Sequence, residues 1–342
     1  MKNKRRKFLE YLYNKLLKHC NNYSKYKYTE LGGKMNKIDR NFYNLVNEIK
    51  SLSERELYYR MRKKFDSIPE ETKKSCMNFF NQFLYWGKMD MENNNYEEIE
   101  LKEQTLFNHI DDFVWLYNNL HDYRSKKTLY AILNNWYQYD FLTTTETREY
   151  LYDDYFDLDL VKCNSEEVIV DLGAYTGDTI LSYLENYGDT CYKKIYAFEI
   201  TPSTMETLKA NLKNYPNIEF INKGISNRTG KVVVLENKES PSANTSVENE
   251  DGKIEMTTLD IEIKEKITLI KADIEGSEKE AIEGAKYHIK NDHPKLLFSV
   301  YHKNDDLWQI PKMIYNISKD YKFYLRFNSS PIYPTEITLI AI

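Results

Sequence analysis

Val168-Ile169-Val170-Asp171-Leu172-Gly173-Ala174-Tyr175-Thr176-Gly177-Asp178 is the stretch that decides the fold. It opens as an apolar, β-branched run of strand length, ends that run on an acidic residue, and places two glycines around a tight turn before a helical pattern over 177–187. In open α/β sheets ligands bind at the carboxyl ends of strands, and glycine lets the backbone approach them closely. The spacing from Gly173 to Gly177 is GxxxG, not the GxGxxG of a dinucleotide site, and no Gly-Lys-Ser/Thr follows to cradle phosphates. An acidic loop suits a ligand with a cationic end better than a pyrophosphate.

Outward from this stretch, strand-like runs recur at 194–199, 218–222, 231–235, 268–273 and 295–301, with a final pair at 322–326 and 337–342. Helical patterns at 202–214 and 277–290 alternate with them, which predicts a parallel sheet with right-handed crossovers. Before residue 155 the periodicity is helical instead, over 4–31, 40–66, 70–88, 102–120 and 124–140, with Trp86, Trp115 and Trp136 as core candidates. This half reads as all-helical, and the expected domains are 1–155 and 156–342.

Composition supports the division. The chain has 342 residues and a net charge of −5, yet residues 1–155 carry 26 basic and 23 acidic groups against 22 and 30 in the remainder. Eighteen of the 30 tyrosines precede residue 156, and eight of the 11 glycines follow residue 155. No apolar run approaches the roughly 20 residues of a spanning helix. The basic start (Lys2, Lys4, Arg5, Arg6, Lys7) lacks the continuous apolar run of a secretory signal, and the four cysteines form no CxxC pair. A cytoplasmic protein with reduced thiols is therefore expected. The first 40 residues hold 12 basic and 3 acidic groups, which suits docking on anionic lipid or on nucleic acid phosphates, or simply a solvated helix face.

Three constellations carry chemistry. Asp171, Gly173 and Gly177 close the first strand, and Glu199 ends the second, where a carboxylate can accept hydrogen bonds from ribose hydroxyls. A nucleoside without phosphates and with a positive charge near its other end fits these residues, and S-adenosylmethionine has that chemistry. The third is Asp273-Ile-Glu275-Gly276-Ser277-Glu278, where an extended strand would put Asp273 and Glu275 on one face, followed by an apolar strand that runs to His302. If these two strands are neighbours, Asp273 and His302 converge, a pairing suited to general-base work on a hydroxyl. As helix-start carboxylates, Glu275 and Glu278 also have a purely structural reading.

From about residue 155 to 342 the chain resembles the FkbM family of S-adenosylmethionine-dependent methyltransferases. The resemblance rests on 170–177, on Phe198-Glu199 with Pro202, on Thr258-Leu-Asp260, and on Ile270-Lys-Ala-Asp-Ile-Glu-Gly-Ser-Glu278. Glu283-Gly-Ala285 and the run from Ser299 to Trp308 complete it. Ile200 departs from the proline usual after the glutamate. The resemblance implies a class I methyltransferase fold: Rossmann-like, with a mostly parallel seven-stranded sheet and a C-terminal antiparallel hairpin behind an all-helical N-terminal domain. It further implies that Asp171, Gly173, Ala174, Tyr175, Thr176, Gly177, Asp178, Glu199, Ile200 and Asp273 hold S-adenosyl-L-methionine, with Gly224, Ile225 and Ser226 bordering the adenine. The implied reaction is O-methylation of a sugar, glycan or related small molecule, with Asp273 and His302 catalytic and Glu275 orienting the acceptor or aiding a divalent metal. The N-terminal helices are left as a cap, a substrate platform or a homo-oligomer surface. Two other readings stay open: methylation of nucleic acid or protein, which lacks an Asn/Asp-Pro-Pro-Tyr or Pro-Cys motif here, and a non-catalytic cofactor-binding assembly module.

Overall fold

Up to residue 152 the described chain is mainly helical: Lys37–Lys50, Glu54–Ser67, Glu70–Phe80, Glu97–Asn119, Tyr123–Gln138 and Phe141–Thr145. The computed structural model describes residues 35–152, 155–235 and 244–342; the basic helix expected over 4–31, with its membrane-contact reading, lies outside them. The single pattern over 40–66 breaks at Ser51-Leu52-Ser53 because Ser53 caps the next helix. Its N–H donates to Glu56 Oε2 at 2.9 Å, and its Oγ accepts from the Glu56 N–H at 3.4 Å. This half is not wholly helical, since β1 (Met89–Asp90) and β2 (Asn95–Tyr96) pair as a short antiparallel hairpin turning on Asn94, at φ 51°.

The apolar runs of the other half become β3 (Val168–Leu172), β4 (Lys194–Phe198), β5 (Ile218–Ile221), β6 (Lys223–Ile225), β7 (Gly230–Leu235), β8 (Thr245–Glu248), β9 (Ile254–Thr257), β10 (Leu269–Ala272), β11 (Lys295–Ser299), β12 (Phe323–Phe327) and β13 (Ile337–Ala341). Seven of them form one sheet in the order β12-β13-β11-β10-β3-β4-β5. From β11 to β5 neighbouring strands are parallel, and β13 runs antiparallel to both β11 and β12. This is the class I methyltransferase arrangement, a Rossmann-like sheet with a C-terminal antiparallel pair. The order reverses beside β3, so the carboxyl ends of β3, β4 and β10 surround one crevice.

The second sheet and one helix escape the sequence pattern. The run at 231–235 leaves the main sheet: β7 pairs antiparallel with β8 and β9, and β6 completes that second sheet of four strands. Alternation reveals a strand but not which sheet takes it. The helix Asp306–Ile317 contains Pro311, which removes one hydrogen bond without ending the helix.

One face of the sheet packs Ile169, Ile195, Ala197, Leu269, Leu297 and Ile340 against Ile180, Tyr183 and Leu184 of the helix Asp178–Tyr187 and Met205, Leu208 and Leu212 of Pro202–Leu212. Each such fully buried aliphatic contributes about 1.5–3 kcal/mol. At the far side, edge strand β12 is covered by the helical half. Leu325 N–H donates to Ser125 Oγ at 2.9 Å, Phe323 O accepts from His121 N–H at 3.0 Å, and Phe327 O accepts from Glu149 N–H at 2.7 Å. These bonds occupy backbone groups that an open edge would offer to another chain. Arg326, buried, clamps the same junction through Asp157 Oδ2 at 2.6 Å and Asp122 Oδ2 at 2.7 Å.

Residue 155 thus marks a change of secondary structure, while Leu45–Ile342 pack as one compact unit. Among the described residues no helix is long and apolar enough to cross a membrane.

Candidate active site

The turn after β3 is shaped by contact with the end of β10. Gly173 has φ +76°, and a Cβ there would stand 2.0 Å from the Asp273 carbonyl oxygen, so only glycine allows the two strand ends to come this close. Its N–H and that of Ala174 both donate to Phe198 O, at 3.1 and 2.8 Å, which ties the turn to the end of β4. Tyr175 also takes a positive φ, 44°, and its N–H donates to Glu199 Oε2 at 3.1 Å. The other carboxylate oxygen of Glu199 accepts from Thr201 N–H at 2.7 Å. Burial raises the pKa of Glu199, and these backbone donors oppose that by stabilising the carboxylate.

A cleft opens over these strand ends. Of the residues singled out in the sequence it is lined by Gly173, Tyr175, Glu199, Ile200, Gly224, Ile225, Asp273 and Glu275, joined by Leu172, Phe198, Thr201, Lys223 and Ser277 among others. Its acidic side chains outnumber its one lining lysine, and Lys223 is committed to Glu262, 2.9 Å from Oε1 and 3.0 Å from Oε2. Ala174, Thr176, Gly177, Asp178 and Ser226 are not part of this lining, and Asp178 is exposed to solvent. Ala174 is fully buried, Gly177 starts the helix Asp178–Tyr187 at φ 91°, and Thr176 O accepts from Asn211 Nδ2 at 2.8 Å. Ser226 lies beneath Gly284, whose Cβ position is 2.0 Å from Ser226 O, so the glycine of Glu283-Gly-Ala285 is there for close approach.

Asp171 also lies out of the cleft. It is buried in β3, in register with Lys271 of β10, and the Lys271 ammonium sits 3.0 Å from its Oδ1. Lys271 donates as well to Gly173 O at 2.9 Å, and its ammonium lies 5.4 Å from the centre of the Tyr155 ring. Burial raises the Asp171 pKa. Burial would lower that of Lys271, but Asp171 and Asp273 outweigh it and hold it above the usual value. The pair therefore holds the Gly173 turn from below instead of touching a ligand.

At the other end of the cleft stand Asp273 and Glu275. They do not share a strand face, because β10 ends at Ala272 and the chain turns through Glu275 at φ 55° and Gly276 at φ 89°. The parallel pairing of β10 with β11 brings His302 to the same place, with Nε2 3.3 Å from Asp273 Oδ1 and 3.5 Å from Glu275 Oε2, and Nδ1 3.1 Å from Glu278 Oε1. Burial alone would lower the His302 pKa, yet Glu278, Asp273 and Glu275 push it up to about 10. The surrounding carboxylates thus favour the protonated imidazole, which weighs against the general-base role expected of His302. Burial pushes the Glu275 carboxyl up to about 7, whereas Asp273, despite burial, is held below the usual value by His302 and Lys271.

Two partners at this end carried no sequence signal. Tyr155 donates its hydroxyl to Asp273 Oδ2 at 2.7 Å, and Tyr85, from the one-turn helix Leu84–Trp86, donates to Glu275 Oε2 at 3.2 Å. Tyr85 also meets the His302 ring edge-on at 5.8 Å, and Trp86 Nε1 donates to Tyr301 O at 3.1 Å. Both tyrosines come from before residue 156, where periodicity reports packing and not reach.

Residues 171–325 match the methyltransferase FkbM domain. The chain carries an FkbM methyltransferase domain. The crystal structure of methyltransferase FkbM from Methylobacillus flagellatus is similar in fold, with a TM-score of 0.60 and 24% identity over 73% of this chain. This chain spans 63% of that one. More distant are an rRNA methylase from Streptococcus thermophilus, at 18% identity, TM-score 0.32 and coverage of 52% of this chain and 87% of that one, and Aeropyrum pernix fibrillarin with natively bound S-adenosyl-L-methionine, at 13%, 0.35, 54% and 70%. No curated protein sequence matches the chain. Within the FkbM domain the Thr258-Leu-Asp260 stretch has a structural use: Asp260 accepts from the backbone N–H groups of Tyr287 and His288, at 2.9 and 3.3 Å, at the start of the helix Lys286–Asn291.

Proposed function

We propose that this protein is an S-adenosylmethionine-dependent O-methyltransferase whose acceptor is a hydroxyl of a sugar, glycan or related small molecule. The observation that carries this reading is the acidic cleft, with Glu199 at one end, Asp273 and Glu275 at the other, and its lining lysine neutralised. Such a lining suits a nucleoside cation and disfavours phosphates. Glu199, pinned by two backbone N–H groups, presents a carboxylate for ribose hydroxyls, while Ile200, Gly224 and Ile225 offer apolar walls for adenine.

S-adenosylmethionine supplies an electrophilic methyl carbon on a sulfonium. The protein's part is to hold the acceptor oxygen in line with that carbon, where orientation contributes most of the rate, and to receive the hydroxyl proton. Asp273 and Glu275 line the cleft and serve as proton acceptors, with Tyr155 and Tyr85 fixing one oxygen of each.

Titration of S-adenosylmethionine into the pure protein by calorimetry is expected to show saturable binding, and its absence would sink the reading. A methyl-transfer screen over sugar nucleotides, glycopeptides and RNA then identifies the acceptor. Transfer to RNA alone would replace the glycan reading by a nucleic-acid one.

A further inference from the structure

Among the buried polar atoms of this cluster without a hydrogen-bond partner, which include His302 Nδ1 and Glu278 Oε2, are His302 Nε2 and Asp273 Oδ1. They face each other at 3.3 Å, and Glu275 Oε2 lies 3.5 Å from the same nitrogen. A charge-assisted hydrogen bond is shorter, about 2.7–2.9 Å, and directed along the N–H; these contacts are long and misaligned. The His302 side chain is 1% exposed, so no bulk solvent compensates.

The same spacing is what a first-row metal ion requires. Ligands about 2.0–2.2 Å from a common centre and about 90–110° apart lie roughly 3.0–3.5 Å from one another. The nitrogen and the two carboxylates each offer one atom, all within 4.8 Å of one another. Their supports follow the pattern of metal-site surroundings: Glu278 Oε1 stands 3.1 Å from His302 Nδ1, Tyr155 holds the second oxygen of Asp273, and Tyr85 holds Glu275.

We infer that Asp273, Glu275 and His302 form a three-ligand site for a divalent transition-metal cation at the acceptor end of the cleft. One imidazole with two carboxylates favours Mn²⁺, Fe²⁺ or Zn²⁺ over Mg²⁺, which prefers oxygen ligands alone. The cation takes the place of the proton on His302 Nε2, and because Asp273 and Glu275 line the cleft its open positions face the space assigned to the acceptor hydroxyl. That last placement rests on the methyltransferase reading above; the binding of the cation does not.

The test uses full-length protein stripped with chelator and titrated with MnCl2, free Mn²⁺ being read by electron paramagnetic resonance. One equivalent is expected to bind, at least tenfold more weakly in Asp273→Asn and in Glu275→Gln, and about tenfold more weakly in Glu278→Gln. Zn²⁺ should displace the Mn²⁺, and Mg²⁺ at equal concentration should not. Circular dichroism and calorimetric binding of S-adenosylmethionine on the same samples separate the two ideas: cofactor binding without Mn²⁺ binding overturns the metal site alone, and the reverse overturns the cofactor reading alone. Should the variants lose their fold, the electron spin echo envelope of the wild-type Mn²⁺ complex decides, because one coordinated imidazole nitrogen is expected. Its absence, or equal Mn²⁺ binding by wild type and folded variants, overturns the site.

Discussion

At the Gly173–Glu199 end of the cleft, ligand-facing groups are held by backbone; at the Asp273–His302 end they are held by one another. Glu199 is oriented by the N–H groups of Tyr175 and Thr201, each three residues past the end of its strand. Asp273, Glu275, Glu278 and His302 instead share one buried knot of charge, steadied by Tyr85 and Tyr155 from far earlier in the chain. On the proposed reading, local geometry suffices for the cofactor end, whereas the acceptor end draws on segments that only tertiary packing brings together.

The sharpest break of the first end lies beneath it. Asp171→Asn leaves the Lys271 ammonium buried without its carboxylate, and removing one partner of a buried ion pair costs about 3–5 kcal/mol. Denaturant unfolding is expected to show that loss. A stability equal to wild type would mean that Gly173 O and Asp273 alone satisfy Lys271. Next in size is Gly173→Ala, which combines a left-handed φ with a Cβ driven onto the Asp273 carbonyl. S-adenosylmethionine affinity should fall at least a hundredfold, about 2.7 kcal/mol. If calorimetry finds it unchanged, the turn does not shape the cofactor end.

The difference between the ends also explains what the sequence made legible. The seven main-sheet strands are readable because each is a short apolar run bounded by turn or helix signals, and the site follows from where they end. Asp171 was readable as important but not as buried, since the β3–β10 register that opposes it to Lys271 is a property of the sheet. Asp273 and Glu275 were readable as neighbours for the wrong reason: the positive φ at Glu275, not strand alternation, brings them together. Tyr85 and Tyr155 carry no pattern, because a tyrosine that packs and a tyrosine that reaches into a site have the same periodicity.

A smaller effect probes the second end alone. Tyr85→Phe removes one hydrogen bond to Glu275 Oε2 and keeps the ring against His302. With a net worth of about 1 kcal/mol for such a bond, kcat should fall about fivefold while S-adenosylmethionine affinity stays at the wild-type value. An equal loss in cofactor affinity would erase the distinction between the two ends.

The smallest effect concerns how the helical half is anchored to the sheet that carries both ends. Asp122 Oδ2 accepts from Arg326 at 2.7 Å, and its Oδ1 accepts from the Ser125 N–H at 2.7 Å as the cap of the helix Tyr123–Gln138. Burial works to raise its pKa, but the Arg326 and Ser125 hydrogen bonds win and hold it below the ordinary 3.8. In the unfolded chain the group protonates near that ordinary value, so its contribution to stability is complete above it and is lost as pH falls through the lower folded value. Arg326 stays charged throughout, so the loss belongs to the carboxylate. Stability measured by urea unfolding should therefore be insensitive to this group from pH 5 to 7 and decline below pH 4. Asp122→Asn should be less stable at pH 7, with a gap to wild type that narrows on acidification. A gap that stays constant down to pH 3 would show that the clamp on β12 is held by Asp157 and Ser125 without help from the Asp122 charge.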